Sequence, residues 1–112
     1  MTNLDKDGAV LLEVDERKVA SVILSRPAVN NAYDGDFIQS MLAVMDALDK
    51  VAGLRAIVVR STGKHFQAGA DLNWLDAVRM SSPEENIRAS RATAQAVQRL
   101  NLAPVPSVAL AE

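Results

Sequence analysis

The sequence predicts a layered α/β fold. Short β-branched runs alternate with stretches of helical periodicity, Pro or Gly punctuates several junctions, and no linker divides the chain. At 112 residues, 49% of them hydrophobic, this is one domain or part of one, with ample material for a core. Only 4% are aromatic, so the core must be built from Val, Ile, Leu, Ala and Met.

The elements run in order along the chain. Val10–Val14 and Lys18–Leu24 read as two strands, with Asp15-Glu16-Arg17 as a tight hairpin turn between them. Pro27 ends the second strand, because it lacks the N–H that a ladder needs. Asp34 is placed to cap a helix on which Phe37, Met41, Val44, Met45 and Leu48 fall on one face. Asp36, Gln39, Asp46 and Lys50 fall on the other, wet side. Gly53 breaks that helix, and Arg55–Arg60 comes next as a short apolar run that reads as a buried, parallel strand. Asp71–Met80 predicts a short helix carrying Leu72, Trp74, Leu75 and Val78. Ser82-Pro83-Glu84-Glu85 starts a further helix, with Ser at the N-cap and Pro in the first turn, running to about Asn101. Pro104 and Pro106 then punctuate, and Ser107–Leu110 begins a last strand. That strand breaks off without a turn or cap, which predicts that residues 1–112 are the N-terminal portion of a larger single domain.

Several function classes are excluded or disfavoured. Twelve basic and fourteen acidic residues give a net charge of −2 with no long run of one sign, which is poor support for nucleic-acid or anionic-membrane binding. There is no Cys, so disulfides and thiol catalysis are ruled out. Met1–Gly8 is polar and lacks the blocks of a secretory signal, and no apolar run reaches membrane-spanning length. The expectation is a cytoplasmic protein that needs neither nucleic acid nor membrane.

The most informative stretch is His65-Phe66-Gln67-Ala68-Gly69-Ala70-Asp71-Leu72. Small residues between a strand and a helix carry no acid–base chemistry, but they let backbone N–H groups approach a ligand. Two readings compete: an oxyanion site at the amide of Ala70, or a plain turn in which Asp71 caps the next helix. Residue types alone favour the plain turn.

A wider pattern reverses that preference. Ser25-Arg26-Pro27-Ala28-Val29-Asn30-Asn31-Ala32, Phe66 with the Ala-Gly-Ala-Asp-Leu turn, and Pro104–Leu110 resemble, in order and approximate spacing, the crotonase family of enoyl-CoA hydratases and isomerases. The resemblance runs from Val10 to Glu112 and implies a crotonase-like spiral α/β fold, here truncated. It implies that Ala70 is the first oxyanion donor, through its backbone N–H. Ala28, Val29, Ala68, Gly69, Asp71 and Leu72 would line the site for coenzyme A, which enters as part of an acyl-CoA thioester rather than as a separate cofactor. The second donor glycine and the catalytic carboxylates would lie beyond Glu112, and Glu112 itself takes no such role. Assembly as a homotrimer, or as a hexamer of two trimers, is implied as well. The activity implied first is hydration of an α,β-unsaturated acyl-CoA. Asn30–Asp34 and Phe66–Gly69 are similar to hydratases acting on branched, glutaconyl-like thioesters. The alternatives are an isomerase or acyl-CoA hydrolase of the same family, or a non-catalytic CoA-binding or oligomerisation module.

Other candidates carry less. His65 is the only His, beside Lys64 in an expected surface loop with no orienting partner, and no second His or Cys joins it and Asp71 to make a metal site. Ser61 and Lys64 lack the partner motifs of a Ser–Lys nucleophile, and Gly63-Lys64 lacks the spacing of a phosphate loop. Arg26, Arg60 and Lys64 are candidates for CoA phosphates, or else solvated surface. Tyr33 and Trp74 are candidates for contact with an acyl chain, or else packing. Arg88, Arg91, Gln95, Gln98 and Arg99 read as a solvated helix face or a subunit contact.

Overall fold

A computed structural model describes residues 7–111. Glu112 and the first six residues of the polar N-terminus lie outside the described residues. The element order is β1 (Val10–Val14), β2 (Val19–Leu24), α1 (Gly35–Leu48), β3 (Ala56–Ser61), α2 (Leu72–Arg79), α3 (Pro83–Asn101) and β4 (Ser107–Ala109). Every predicted element is present, with boundaries displaced by about one residue.

The four strands form one sheet in the order β1-β2-β3-β4. β1 and β2 are an antiparallel hairpin, whereas β2–β3 and β3–β4 are parallel. Parallel neighbours need a crossover, and α1 supplies it between β2 and β3. The hairpin closes on Asp15, whose carboxylate accepts from the N–H groups of Arg17 and Val19. Lys18 completes the turn at a φ of 65°, a left-handed position that residue type alone did not reveal.

α1 forms where the sequence predicts. The Asp34 carboxylate accepts from the N–H of Phe37 at 2.9 Å, satisfying one of the free donors of the first turn. Phe37, Met41, Val44, Met45 and Leu48 are all buried, and Asp46 and Lys50 are exposed, as are Gln39 and Asp36 in part or in full. The buried face meets Val10, Ala20, Val22, Leu24, Ile57 and Val59 of the sheet in one core cluster, which α3 joins through Ala96. Fully burying a side chain such as Val44 or Ile57 is worth about 1.5–3 kcal/mol. Ser40 also stitches α1 to the edge strand, since its hydroxyl accepts from Val10 N–H at 3.0 Å and donates to Val10 C=O at 3.1 Å.

One expectation needs correction. β3 alternates, with Ile57 and Val59 buried and Arg60 exposed, so only one of its faces reaches the core. α2 buries no residue fully; Leu72 and Leu75 are exposed, and only Trp74 and Val78 turn partly inward.

Candidate functional site

The two loops that carry the sequence signatures lie side by side because they grow from paired strands. β2 and β3 pair up to Leu24 and Ser61. The chains then separate into loops 25–32 and 62–69, equal in length, and meet again as a parallel bridge between Tyr33 and Ala70. Equal loop lengths preserve the strand register across the gap.

Asn31 ties the loops together. It is fully buried, with 0% of its surface exposed, at a φ of 60°. Its side-chain oxygen accepts from Arg26 N–H at 2.6 Å, and its side-chain nitrogen donates to the carbonyls of Thr62 and His65, both at 2.8 Å. Its own carbonyl accepts from the Gln67 side chain at 2.6 Å. A buried carboxamide is tolerated only when satisfied in this way. Sequence reasoning missed this role, although a signal was present: Asn30-Asn31 is a pair of the residue type that best tolerates left-handed backbone after Gly, and both adopt it. Gly63, at a φ of 81°, completes the seam, for a Cβ there would sit 2.8 Å from the Cβ of Pro27.

The backbone of the Ala68–Asp71 turn is then fixed group by group. Tyr33 N–H donates to Gly69 C=O at 2.9 Å, and Asp71 N–H donates to Tyr33 C=O at 2.8 Å. In a trans peptide the C=O and N–H point in opposite directions. With Gly69 C=O facing Tyr33, Ala70 N–H faces away from it. Gly69 N–H is taken by the Gln67 side-chain oxygen. Ala68 N–H and Ala70 N–H meet no acceptor among the described residues. The turn therefore presents free amide hydrogens outward, and an added Cβ on Gly69 would meet nothing within 4 Å, so the space beside it is open.

The predicted ligand residues distribute around this point. Ala68 is exposed or half-buried with its neighbours Gly69, Ala70 and Asp71, none of them lost to the core. Ala28 and Val29 are exposed on a 3-10 turn, Pro27–Val29, in the facing loop. Leu72 is exposed at the start of α2. Asp71 also caps α2, accepting from Trp74 N–H at 3.0 Å, so the capping role and the outward Ala70 amide coexist.

The basic candidates separate. Arg26 is committed to the fold: its guanidinium donates to Ala32 C=O at 2.9 Å and pairs with Asp34 at 3.0 Å. Arg60 reaches Glu13 at 3.5 Å on the surface, and Lys64 is exposed. His65 holds Asn31 through its backbone carbonyl, and the residue is exposed. Arg99 departs from the expected solvated face: its side chain, 30% exposed, clamps Asp46 and, at 2.7 Å, Asp49 at the end of α1. Those carboxylates, the hydrogen bond to Asp46 first, raise the pKa of Arg99 further. Among the described residues no cluster of His, Cys, Asp and Glu is placed to hold a metal ion, and no helix is long and apolar enough to cross a membrane.

Two hollows are lined in part by Tyr33, which bonds to the turn. One, of about 1000 Å³, is an open trough between α2 and α3. The other, of about 330 Å³, is lined almost wholly by apolar side chains, among them Leu24, Phe37, Met41, Val59 and Leu100, with Gln67 at its margin. The smaller one suits a hydrocarbon chain better, because it lies over the core and abuts the residue that holds Gly69. Tyr33 packs edge-to-face against Trp74, with ring centroids 5.8 Å apart.

Comparison with known proteins bears on the family and the fold. A family model described as enoyl-CoA hydratase/isomerase matches residues 15–111. A Thermus thermophilus protein with a provisional enoyl-CoA hydratase name is 35% identical over 99 residues, 88% of this chain and 39% of that protein. A peroxisomal Delta(3,5)-Delta(2,4)-dienoyl-CoA isomerase of Arabidopsis thaliana is 32% identical over 73 residues, 65% of this chain and 26% of that protein. The crystal structure of an enoyl-CoA hydratase from Shewanella pealeana superposes with a TM-score of 0.89 at 25% identity, covering 96% of this chain and 40% of that one. The chain thus spans well under half the length of these relatives.

Proposed function

The chain belongs to the enoyl-CoA hydratase/isomerase family, and on that premise we propose that its Ala70 turn receives the thioester carbonyl of an α,β-unsaturated acyl-CoA for hydration. The single observation that carries this reading is the outward, unpaired N–H of Ala70, aimed by the two hydrogen bonds to Tyr33. A donor fixed before substrate arrives needs no reorganisation as charge builds on the thioester oxygen. That charge develops when water adds to the β-carbon, because the electron pair of the double bond moves through the α-carbon onto the carbonyl. The chain supplies carbonyl polarisation; the second donor and the carboxylates that activate water belong, in this proposal, to sequence beyond Glu112.

The remaining roles rest on placement. Ala28, Val29, Ala68, Gly69, Asp71 and Leu72 border the path for the CoA moiety, where small side chains leave room for the pantetheine arm. The apolar hollow beside Tyr33 takes the acyl chain. Coenzyme A is part of the substrate, and no further cofactor is invoked. A cytoplasmic homotrimer, or a hexamer of two trimers, belongs to the same proposal, and light scattering reads the assembly. Isomerisation is the second reading, favoured by the similarity to the Arabidopsis dienoyl-CoA isomerase.

One assay separates them. The intact protein is incubated with a short 2-enoyl-CoA in water enriched in heavy oxygen, and the product is weighed by mass spectrometry. Hydration adds one labelled water. An isomerase run on a 3-enoyl-CoA moves the double bond with no mass gain. Binding of CoA with neither product, across branched and straight chains, would leave the non-catalytic module in place of both.

A further inference from the structure

We propose that Gln67 is a positioning residue: it holds the Ala68–Gly69 peptide, so that the Gly69–Ala70 peptide beside it keeps the orientation from which Ala70 donates to the thioester carbonyl. This rests on the reading of Ala70 given above and names the group that keeps its amide aimed.

Gly69 has a φ of 88°, in the left-handed region, where a glycine peptide can flip at little steric cost. Space does not hold it, since even an added Cβ would meet no atom within 4 Å. Two hydrogen bonds hold it instead. Tyr33 N–H fixes the Gly69 carbonyl in the Gly69–Ala70 peptide, and the side-chain oxygen of Gln67 accepts the Gly69 N–H in the preceding Ala68–Gly69 peptide, so Gly69 is pinned on both sides. Gln67 is in turn anchored, because its side-chain nitrogen donates at 2.6 Å to the carbonyl of Asn31, which is itself buried and fully bonded.

A Gln fixed at both ends of its carboxamide has given up side-chain entropy, and the order it imposes falls on a turn the core does not need. It removes Gly69 N–H from competition with the neighbouring Ala70 N–H. It is also neutral, so it adds no charge where an oxyanion develops. A carboxylate at this position would accept from Gly69 equally well but would oppose that charge and repel the Asn31 carbonyl.

The test uses the intact protein and cinnamoyl-CoA, a conjugated thioester whose absorbance moves to longer wavelength when its carbonyl is polarised. The variants are Gln67→Met, which keeps length and removes both bonds, and Gln67→Ala. The expected result is a red shift in the unaltered protein, cut by half or more in both variants. CoA itself should bind them within about twofold of the unaltered protein, and kcat for the enoyl thioester should fall about tenfold at nearly constant KM. A full red shift and unchanged kcat in Gln67→Met would overturn the positioning role and leave the Ala70 reading standing. Absence of a shift in the unaltered protein would overturn the Ala70 reading, and this inference with it. Lost CoA binding together with a lost far-ultraviolet helix signal would make Gln67 a folding residue and overturn the proposal on its own.

Discussion

The side-chain nitrogen of Asn31 donates to the carbonyl oxygen of His65 at 2.8 Å, joining the loop after β2 to the loop after β3 across 34 residues of sequence. That bond, its twin to Thr62 and the acceptance from Arg26 turn two separate loops into one platform. The Ala70 turn stands on it.

Asn31→Ala should cost roughly 3–5 kcal/mol of stability, from three lost hydrogen bonds of about 1 kcal/mol each and the left-handed backbone forced on an Ala. Asn31→Gly should cost about 1 kcal/mol less, because it keeps the backbone and loses only the bonds. Urea unfolding read by circular dichroism measures both. A loss under about 1 kcal/mol for Ala would show that the Asn31 side chain does not hold the loops, and equal losses for the two variants would show that the left-handed backbone adds no strain.

Gly63→Ala should destabilise by roughly 2–5 kcal/mol, combining left-handed strain with a Cβ driven against Pro27. The double variant Gly63→Ala with Pro27→Gly, which removes the Cβ that the new methyl meets, should not recover this loss fully, since the strain from the φ of 81° remains. Differential scanning calorimetry compares the two. Full recovery would mean that crowding alone requires the glycine.

Replacing the Ala70 amide by an ester, with lactate in place of Ala, removes one N–H and no side-chain atom. The expected loss in kcat is about 10²–10³-fold, the scale of a single oxyanion donor, with unfolding stability changed little because that N–H bonds nothing in the described protein. An unchanged kcat would remove Ala70 from the chemistry.

Asp15 carries a pH prediction. The N–H of Val19 first, then the Arg17 side chain, stabilise its carboxylate and hold its pKa below the ordinary aspartate value. A carboxyl lowered on folding contributes stability that is present above its unfolded pKa and lost as pH falls through the folded one. Asp15→Ala should therefore lower Tm near neutrality, and the difference from the unaltered protein should vanish in acid below the ordinary aspartate range. High salt should leave most of the difference, because backbone hydrogen bonds outweigh the exposed pair with Arg17. A difference that persists in acid would sink the assignment.

Much of this protein was legible from local pattern. The 3.6-residue periodicity of Phe37–Leu48 identified the buried face of α1, and Asp34, Asp71 and Ser82 announced three helix starts that the structure confirms with bonds to Phe37, Trp74 and Glu85. These features depend on residues within four positions of each other, so sequence spacing alone determines them. The reading of Arg99 has the opposite property. Arg99 belongs by pattern to a wet face, yet it meets Asp46 and Asp49, about fifty residues away.

The small-residue turn shows the boundary most clearly. By itself the sequence determined that Ala68-Gly69-Ala70 admits close backbone approach, and that Asp71 caps the helix after it. Only the tertiary structure decided which amide faces out. The direction of a peptide is set by whatever holds its carbonyl, and the N–H that holds Gly69 belongs to Tyr33, brought alongside by two loops of equal length growing from paired strands.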